Sequence, residues 1–212
     1  MNKIMAKEPT YTDIRKTYDG LAKIWDFVAT PMEFLFGISR LRKQLMRRAH
    51  GEVLELAVGT GRNFNYYDKS CSITAVDLSP GMLKRAEQKA ERLGLQVELG
   101  RGSAENLDFD DESFDCVTET LALCTYKDPI KALHEMQRVC KKDGYILLLE
   151  HGISDNSLIK RWQNWRELPH YEKMGCHLTR NPLKIVQDAG LNIKESKRTG
   201  IGKSLYLIVA RA

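Results

Sequence analysis

Residues 52–63 read Glu-Val-Leu-Glu-Leu-Ala-Val-Gly-Thr-Gly-Arg-Asn, an apolar run ending in two glycines one residue apart. Without a Cβ, Gly59 and Gly61 let the backbone come up against a ligand. A helix starting after the turn would add unpaired amides and the positive end of its dipole. A dinucleotide site needs a third glycine, three residues on, so that helix and strand pack closely. Arg62, Asn63 and Phe64 fill those positions instead. Asp77 ends the next apolar run, where a carboxylate can accept from both hydroxyls of a ribose. Glu55, the Gly-x-Gly turn and Asp77 together fit a ligand with an amino acid part, a ribose and no phosphates.

The elements that must position these groups are legible from periodicity. Two helices are expected in the first fifty residues, on Tyr18, Leu21, Ile24 and Trp25 and on Phe34, Leu35, Ile38, Leu41 and Leu45, with Pro31 between them. Short apolar strands then alternate with helices: 53–56, 73–76, 97–99, 114–118 and 145–149. Ser79-Pro80 starts a helix that Gly94 stops, and Asp128-Pro129 starts another. Asp143-Gly144 turns into the most apolar strand, expected inside the sheet. A Trp-rich helix around 161–166, a helix through Val186 and two closing strands, 191–194 and 204–209, complete the chain. The fold expected is α/β: a Rossmann-like doubly wound sheet of seven mostly parallel strands with an antiparallel closing strand and an N-terminal helical lid. The domain reading is one unit, 1–212, with lid helices in 1–50, the ligand-binding core in 51–152 and a substrate-side segment in 153–212.

Composition narrows the setting. The 212 residues carry 33 basic and 28 acidic side chains, a net charge of +5, which favours no single partner. The basic run Arg40 to Arg48 reads as a solvated helix face, with lipid or nucleic-acid phosphate as the alternative. No run approaches the length of a membrane span, and residues 1–16 hold no apolar signal segment. Five cysteines (71, 116, 124, 140, 176) show no metal-ligand spacing, so reduced thiols and no metal are expected. The compartment expected is the cytoplasm, or the mitochondrion if a leading segment has been removed.

Glu55-Leu-Ala57-Val-Gly59-Thr-Gly61 resembles the first motif of the class I S-adenosylmethionine (SAM)-dependent methyltransferases. Val76-Asp77-Leu78-Ser79-Pro80-Gly-Met82 resembles their second motif. Gly102-Ser103-Ala104-Glu105-Asn106-Leu107, Phe114-Asp115-Cys116-Val117 and Arg138-Val139-Cys140-Lys-Lys-Asp143-Gly144 resemble the later ones. On Leu123-Cys124, Glu150-His151-Gly152 and Gly175-Cys176-His177-Leu-Thr-Arg180 the chain resembles the Oms-type and thiol methyltransferase-like branch. The ubiquinone/menaquinone C-methyltransferases and phosphatidylethanolamine N-methyltransferases are more distantly similar. Two positions depart from the pattern. Ala57 replaces a usual glycine, which is tolerable if its φ is negative. Ser103 replaces a usual acid, giving a weaker acceptor for the adenine amino group.

The resemblance implies SAM as cofactor and S-adenosylhomocysteine as product. It assigns cofactor contacts to Glu55, Ala57, Gly59, Gly61, Asn63, Asp77, Leu78, Met82, Ser103, Ala104, Glu105, Thr120 and Leu121. Methyl transfer from a sulfonium depends mainly on alignment and desolvation. If the acceptor must lose a proton, His151 is the first candidate, because it follows a strand at the sheet's ligand-binding edge. His177 is the second, and Tyr18 resembles the lid tyrosine of ubiquinone-type enzymes. Cys124 and Cys176, if they meet near the transfer site, raise redox or arsenic chemistry, against a plain reading as small buried thiols. The acceptor expected is a small molecule or lipid, enclosed by Trp25, Phe27, Phe34, Phe36, Trp162 and Trp165, with contact at a membrane surface allowed for. The alternatives are an RNA or protein methyltransferase or ribosome-assembly factor, with nucleic acid not favoured, and a catalytically silent SAM-binding assembly factor.

Overall fold

The structure, a computed structural model, describes residues 8–212; the first seven residues of the expected lid segment lie outside the described residues. Three helices come first, α1 (Tyr11–Leu21), α2 (Trp25–Leu35) and α3 (Ile38–Met46), where two were expected. Pro31 does not separate them but sits inside α2. The carbonyl it leaves unbonded belongs to Phe27, which is 86% exposed, so water can serve it. The break falls instead at Gly37, whose φ of 71° is left-handed, a conformation a side chain resists.

Seven strands follow: β1 (Glu52–Leu56), β2 (Ser72–Asp77), β3 (Val97–Arg101), β4 (Phe114–Thr120), β5 (Cys140–His151), β6 (Asn192–Thr199) and β7 (Leu205–Arg211). They form one sheet in the order β3-β2-β1-β4-β5-β7-β6. Every neighbouring pair is parallel except those made by β7, which runs antiparallel to β5 and β6. The expected doubly wound sheet and its antiparallel closing strand are both present. Helices α4 (Pro80–Leu93), α5 (Pro129–Val139), α6 (Ser157–Met174) and α7 (Pro182–Asp188) complete the chain. The Ser79 hydroxyl accepts from Met82 N at 3.0 Å and Asp128 from Lys131 N at 3.0 Å, so both expected caps form.

Alternation along the strands sends side chains to two cores. Leu54, Leu56, Val117, Ile146 and Leu148 pack with α5 and α7 on one face. Val53, Ala75, Cys116, Leu147 and Leu149 pack with α3 and α4 on the other. The Asp143-Gly144 turn is looped out of β5: Phe114 pairs with Cys140, and Cys116 already pairs with Tyr145. The chain order reverses between β1 and β4, and at such a switch point a crevice opens beyond the strands' carboxyl ends.

One local expectation fails. No α-helix follows the glycine turn after β1; residues 57–66 run through successive tight turns instead, closed by Gly61 N to Val58 O, Phe64 N to Gly61 O and Tyr66 N to Asn63 O. Gly61 sits at φ 73°, and a Cβ there would meet the Phe64 ring at 2.5 Å. The side chains of Asn63 and Tyr67, drawn inward to Glu55, hold the segment in place of a helical ladder.

Candidate active site

A cavity of about 340 Å³ opens beyond β1, β2, β4 and β5, a size typical of small-molecule and cofactor sites. Of the residues singled out from sequence, Tyr18, Ala57, Gly59, Asp77, Leu78, Met82, Ser103, Ala104, Thr120, Leu121 and His151 line it. Glu55, Gly61, Asn63, Glu105 and His177 are not in its wall. Glu105 lies behind it, accepting from Asp128 N at 3.0 Å.

Asp77 is first of all a clamp. Its two carboxylate oxygens accept from Gly59 N and Ser79 N, each at 2.8 Å, so it fixes both turns that flank it. Burial pushes its carboxyl above the ordinary value, aided by the charge of Asp19 and opposed by these two amides. Leu78, Met82 and Ala104 give the cavity an apolar slot beside this carboxylate. Helix α1 closes over the same corner. Asp19 accepts from the Ser79 hydroxyl at 2.5 Å and from Gly81 N at 3.0 Å, which puts Tyr18 on the cavity wall and in edge contact with Trp25.

Two wall positions carry backbone strain. Ala57 has φ 49°, so the condition for tolerating alanine there, a negative φ, is not met, and Leu121 has φ 60°. Left-handed geometry costs an L-residue about 1–2 kcal/mol, and both positions lie where β1 and β4 deliver the chain into the cavity.

Behind the wall, Glu55 is buried and accepts from Asn63 Nδ2 and the Tyr67 hydroxyl, each at 2.9 Å. Burial outweighs these bonds and the charge of Arg42, and its carboxyl is pushed up to about 7. A folded-state value above the unfolded one of 4.5 gives stability that is present below pH 4.5 and lost as pH rises through 7. Glu55→Gln is therefore expected to gain on the parent by about 3 kcal/mol between pH 4.5 and 8. Denaturant melts of both proteins across that range check it; a constant difference would refute it.

The largest group that sequence reasoning missed ties the N-terminal helices to the glycine turn. Asp26, Thr30 and Glu33 share one face of α2, and all three accept from Arg62. Glu33 also accepts from Arg42 Nε at 3.1 Å and Nη2 at 2.8 Å, and Arg42 Nη1 reaches Asn63 Oδ1 at 2.9 Å and the Thr120 hydroxyl at 2.5 Å. Arg42 thus corrects the reading of 40–48 as a wholly solvated face: it is 5% exposed and spent internally. The i, i+4, i+7 spacing of three polar residues in an otherwise apolar helix was the available signal. The aromatic walls also need correction. Trp25 lines the cavity, whereas Phe27, Phe34, Phe36, Trp162 and Trp165 are exposed.

At the far end, His151 Nε2 lies 3.3 Å from Cys176 Sγ, which lies 3.1 Å from Cys124 Sγ. Burial opposes a charged imidazole there, and the Cys176 sulfur overrides it, so His151 is raised above its ordinary value. His177 is fastened away from the cavity, with Nδ1 2.7 Å from a Glu167 carboxylate oxygen and its ring stacked on Tyr171 at 3.9 Å. Under the floor two buried carboxyls meet. Ala122 N donates to Glu119 at 2.6 Å, and burial, followed by the Glu119 charge, pushes the Glu150 carboxyl well above its ordinary value. Acids inside an apolar strand carry no periodic signal, and this pair went unnoticed in the sequence.

Residues 54–148 match the family described as a methyltransferase domain. The chain is similar to methyltransferase OMS1, mitochondrial, of Saccharomyces cerevisiae, 30% identical over 218 residues that cover 94% of this chain and 46% of that protein. It is similar to the phosphatidylethanolamine N-methyltransferase of Cereibacter sphaeroides, 38% identical over 148 residues, 68% of this chain and 72% of that one. It is also similar to thiol S-methyltransferase TMT1B of Rattus norvegicus, 38% identical over 143 residues, 65% of this chain and 58% of that one. The chain thus spans about half to three-quarters of the length of these relatives.

Proposed function

The chain belongs to the class I SAM-dependent methyltransferases, and on that premise we propose that it methylates an amphipathic, lipid-like acceptor taken from a membrane surface. The observation that carries the acceptor class is a pair of helices that are polar inside and apolar outside. On α2, Asp26, Thr30 and Glu33 bond inward, while Phe27 and Phe34 are 86% and 82% exposed. On α6, Gln163 donates inward to Gly152 O and Leu178 O and Glu167 accepts from Leu178 N, while Leu158, Trp162, Trp165 and Leu168 face outward. Both helices border the cavity, through Trp25 and through His170 and Met174. Lys160 and Arg161 are exposed beside the two tryptophans, and the Arg166 guanidinium lies 5.6 Å from the Trp165 ring. Interfacial aromatics flanked by cations suit an anionic bilayer surface. Among the described residues no helix is long and apolar enough to cross a membrane.

SAM, when bound, supplies a methyl group on an already activated sulfonium. The residues present fit it. Asp77 offers a buried carboxylate for a ribose diol, Leu78, Met82 and Ala104 an apolar slot for the base, and Ser103 a hydroxyl at that slot's edge. Tyr126, also on the wall, has a buried hydroxyl without a partner among the described residues, suited to a polar group of the ligand. The turn at 57–61 positions the amino acid part, and α1 with Tyr18 excludes water from the transfer line. His151, at the opposite wall, is the group placed to take an acceptor proton. The mitochondrial name of one relative is compatible with a membrane-facing role.

Labelled methyl should pass from SAM to phospholipid in anionic vesicles, and Phe27→Ser with Trp165→Ser should cut both vesicle binding and lipid methylation at least tenfold. Transfer to small thiols or RNA in preference to vesicle lipid would overturn the acceptor class.

A further inference from the structure

Cys124, His151 and Cys176 are separated in sequence yet place two sulfurs and one imidazole nitrogen within 4.8 Å of one another, the one such group of possible metal donors among the described residues. They come from the loop after β4, the end of β5 and the loop after α6. The loops are tied together, His177 N donating to Cys124 O at 3.0 Å and Arg180 Nη1 to Leu123 O at 2.6 Å. Both cysteines are buried, and His151 and Cys176 face the cavity.

We propose that these three side chains form a site for a thiophilic d¹⁰ cation, with Zn²⁺ the representative. A tetrahedral zinc with bonds of about 2.3 Å to sulfur and 2.0 Å to nitrogen needs its donors about 3.8 Å (S to S) and 3.5 Å (S to N) apart. The sulfurs stand 3.1 Å apart and the Cys176–His151 pair 3.3 Å apart, so the first gap must open by about 0.7 Å and the second by about 0.2 Å. Two thiolates and an imidazole are the donor set that soft cations prefer over Mg²⁺ or Ca²⁺. Three protein ligands leave a fourth position, and the cavity lies beside it, as in catalytic rather than structural zinc sites. The sequence expectation of no metal rested on linear spacing, which this site lacks.

One consequence rests on the methyl-transfer reading; the binding itself does not. An acceptor heteroatom in the fourth position would lose its proton to solvent on coordination. It would then take the methyl carbon as the sulfonium C–S bond breaks, leaving the neutral thioether product. His151 is then a ligand, and the metal takes over the acidification of the acceptor.

The test uses reduced, chelator-treated full chain titrated with Zn²⁺, and with Co²⁺ as a spectroscopic probe. One metal per chain is expected, with a thiolate-to-cobalt absorption band. Cys124→Ser, Cys176→Ala and His151→Ala should each weaken binding on the order of a hundredfold, and Cys71→Ser should leave it unchanged. SAM binding by calorimetry on the same variants reports folding and keeps this claim separate from the methyltransferase reading. Overturning results are substoichiometric uptake, binding indifferent to Cys176→Ala in a protein that still binds SAM, or loss of two titratable thiols to a Cys124–Cys176 disulfide in place of metal uptake.

Discussion

Asp77→Ala is expected to weaken SAM binding by roughly 100- to 10,000-fold, two lost hydrogen bonds to a charged group being worth about 1.5–3 kcal/mol each. The same carboxylate holds Gly59 N and Ser79 N at 2.8 Å, so its removal also releases the turn and the α4 cap that shape the slot. Asp77→Asn separates these effects. The amide keeps one backbone acceptor but presents an NH₂ to the other N–H, a donor facing a donor, and it has no charge for the diol. Its affinity should lie between parent and alanine variant. Isothermal titration with SAM and with S-adenosylhomocysteine measures both. A loss of less than tenfold in Asp77→Ala would mean that the ribose is gripped elsewhere.

Glu33→Gln should be the most destabilising of the conservative changes. Glu33 is buried between two guanidiniums, with Arg42 and Arg62 each making two bonds to it. Burial alone would raise its carboxyl, but the charge of Arg42 leads the opposing effects and its pKa is lowered. The stability this ion pair gives is present above the unfolded value and lost as pH falls through the folded one. Glutamine removes the charge, leaving Arg42 buried without its carboxylate partner and Arg62 with Asp26 alone, which costs about 3–5 kcal/mol. For a chain of this size that is a fall in melting temperature of roughly 6–20 °C. Arg42 and Arg62 line the cavity, so SAM affinity should fall as well. Removing Glu195, the partner of Arg48 in an exposed ion pair, should change nothing measurable. A Glu33→Gln melt within two degrees of the parent would sink the argument.

Much of the cavity's wall was readable before any fold was known, and the reason is local. Gly59 and Asp77 belong to turns a few residues long, and Gly61 shapes the first of them from outside the wall, so their types and spacing carry the signal. The caps at Ser79 and Asp128 and the alternation of strand and helix are short-range for the same reason, which is why the sheet was foreseen with its closing strand.

Tertiary structure decided everything that depends on contacts across the chain. It set φ at Ala57, replaced the expected helix after β1 with turns braced by Glu55, and took Arg42 out of solvent to meet Glu33. It turned the apolar sides of α2 and α6 outward, and it brought Cys124, His151 and Cys176 to one point. Periodicity reports that a helix has two faces; which face the protein buries depends on the charges waiting on the element opposite. Here the buried Arg42 on α3 and the half-buried Arg62 on the glycine turn claimed the polar side of α2.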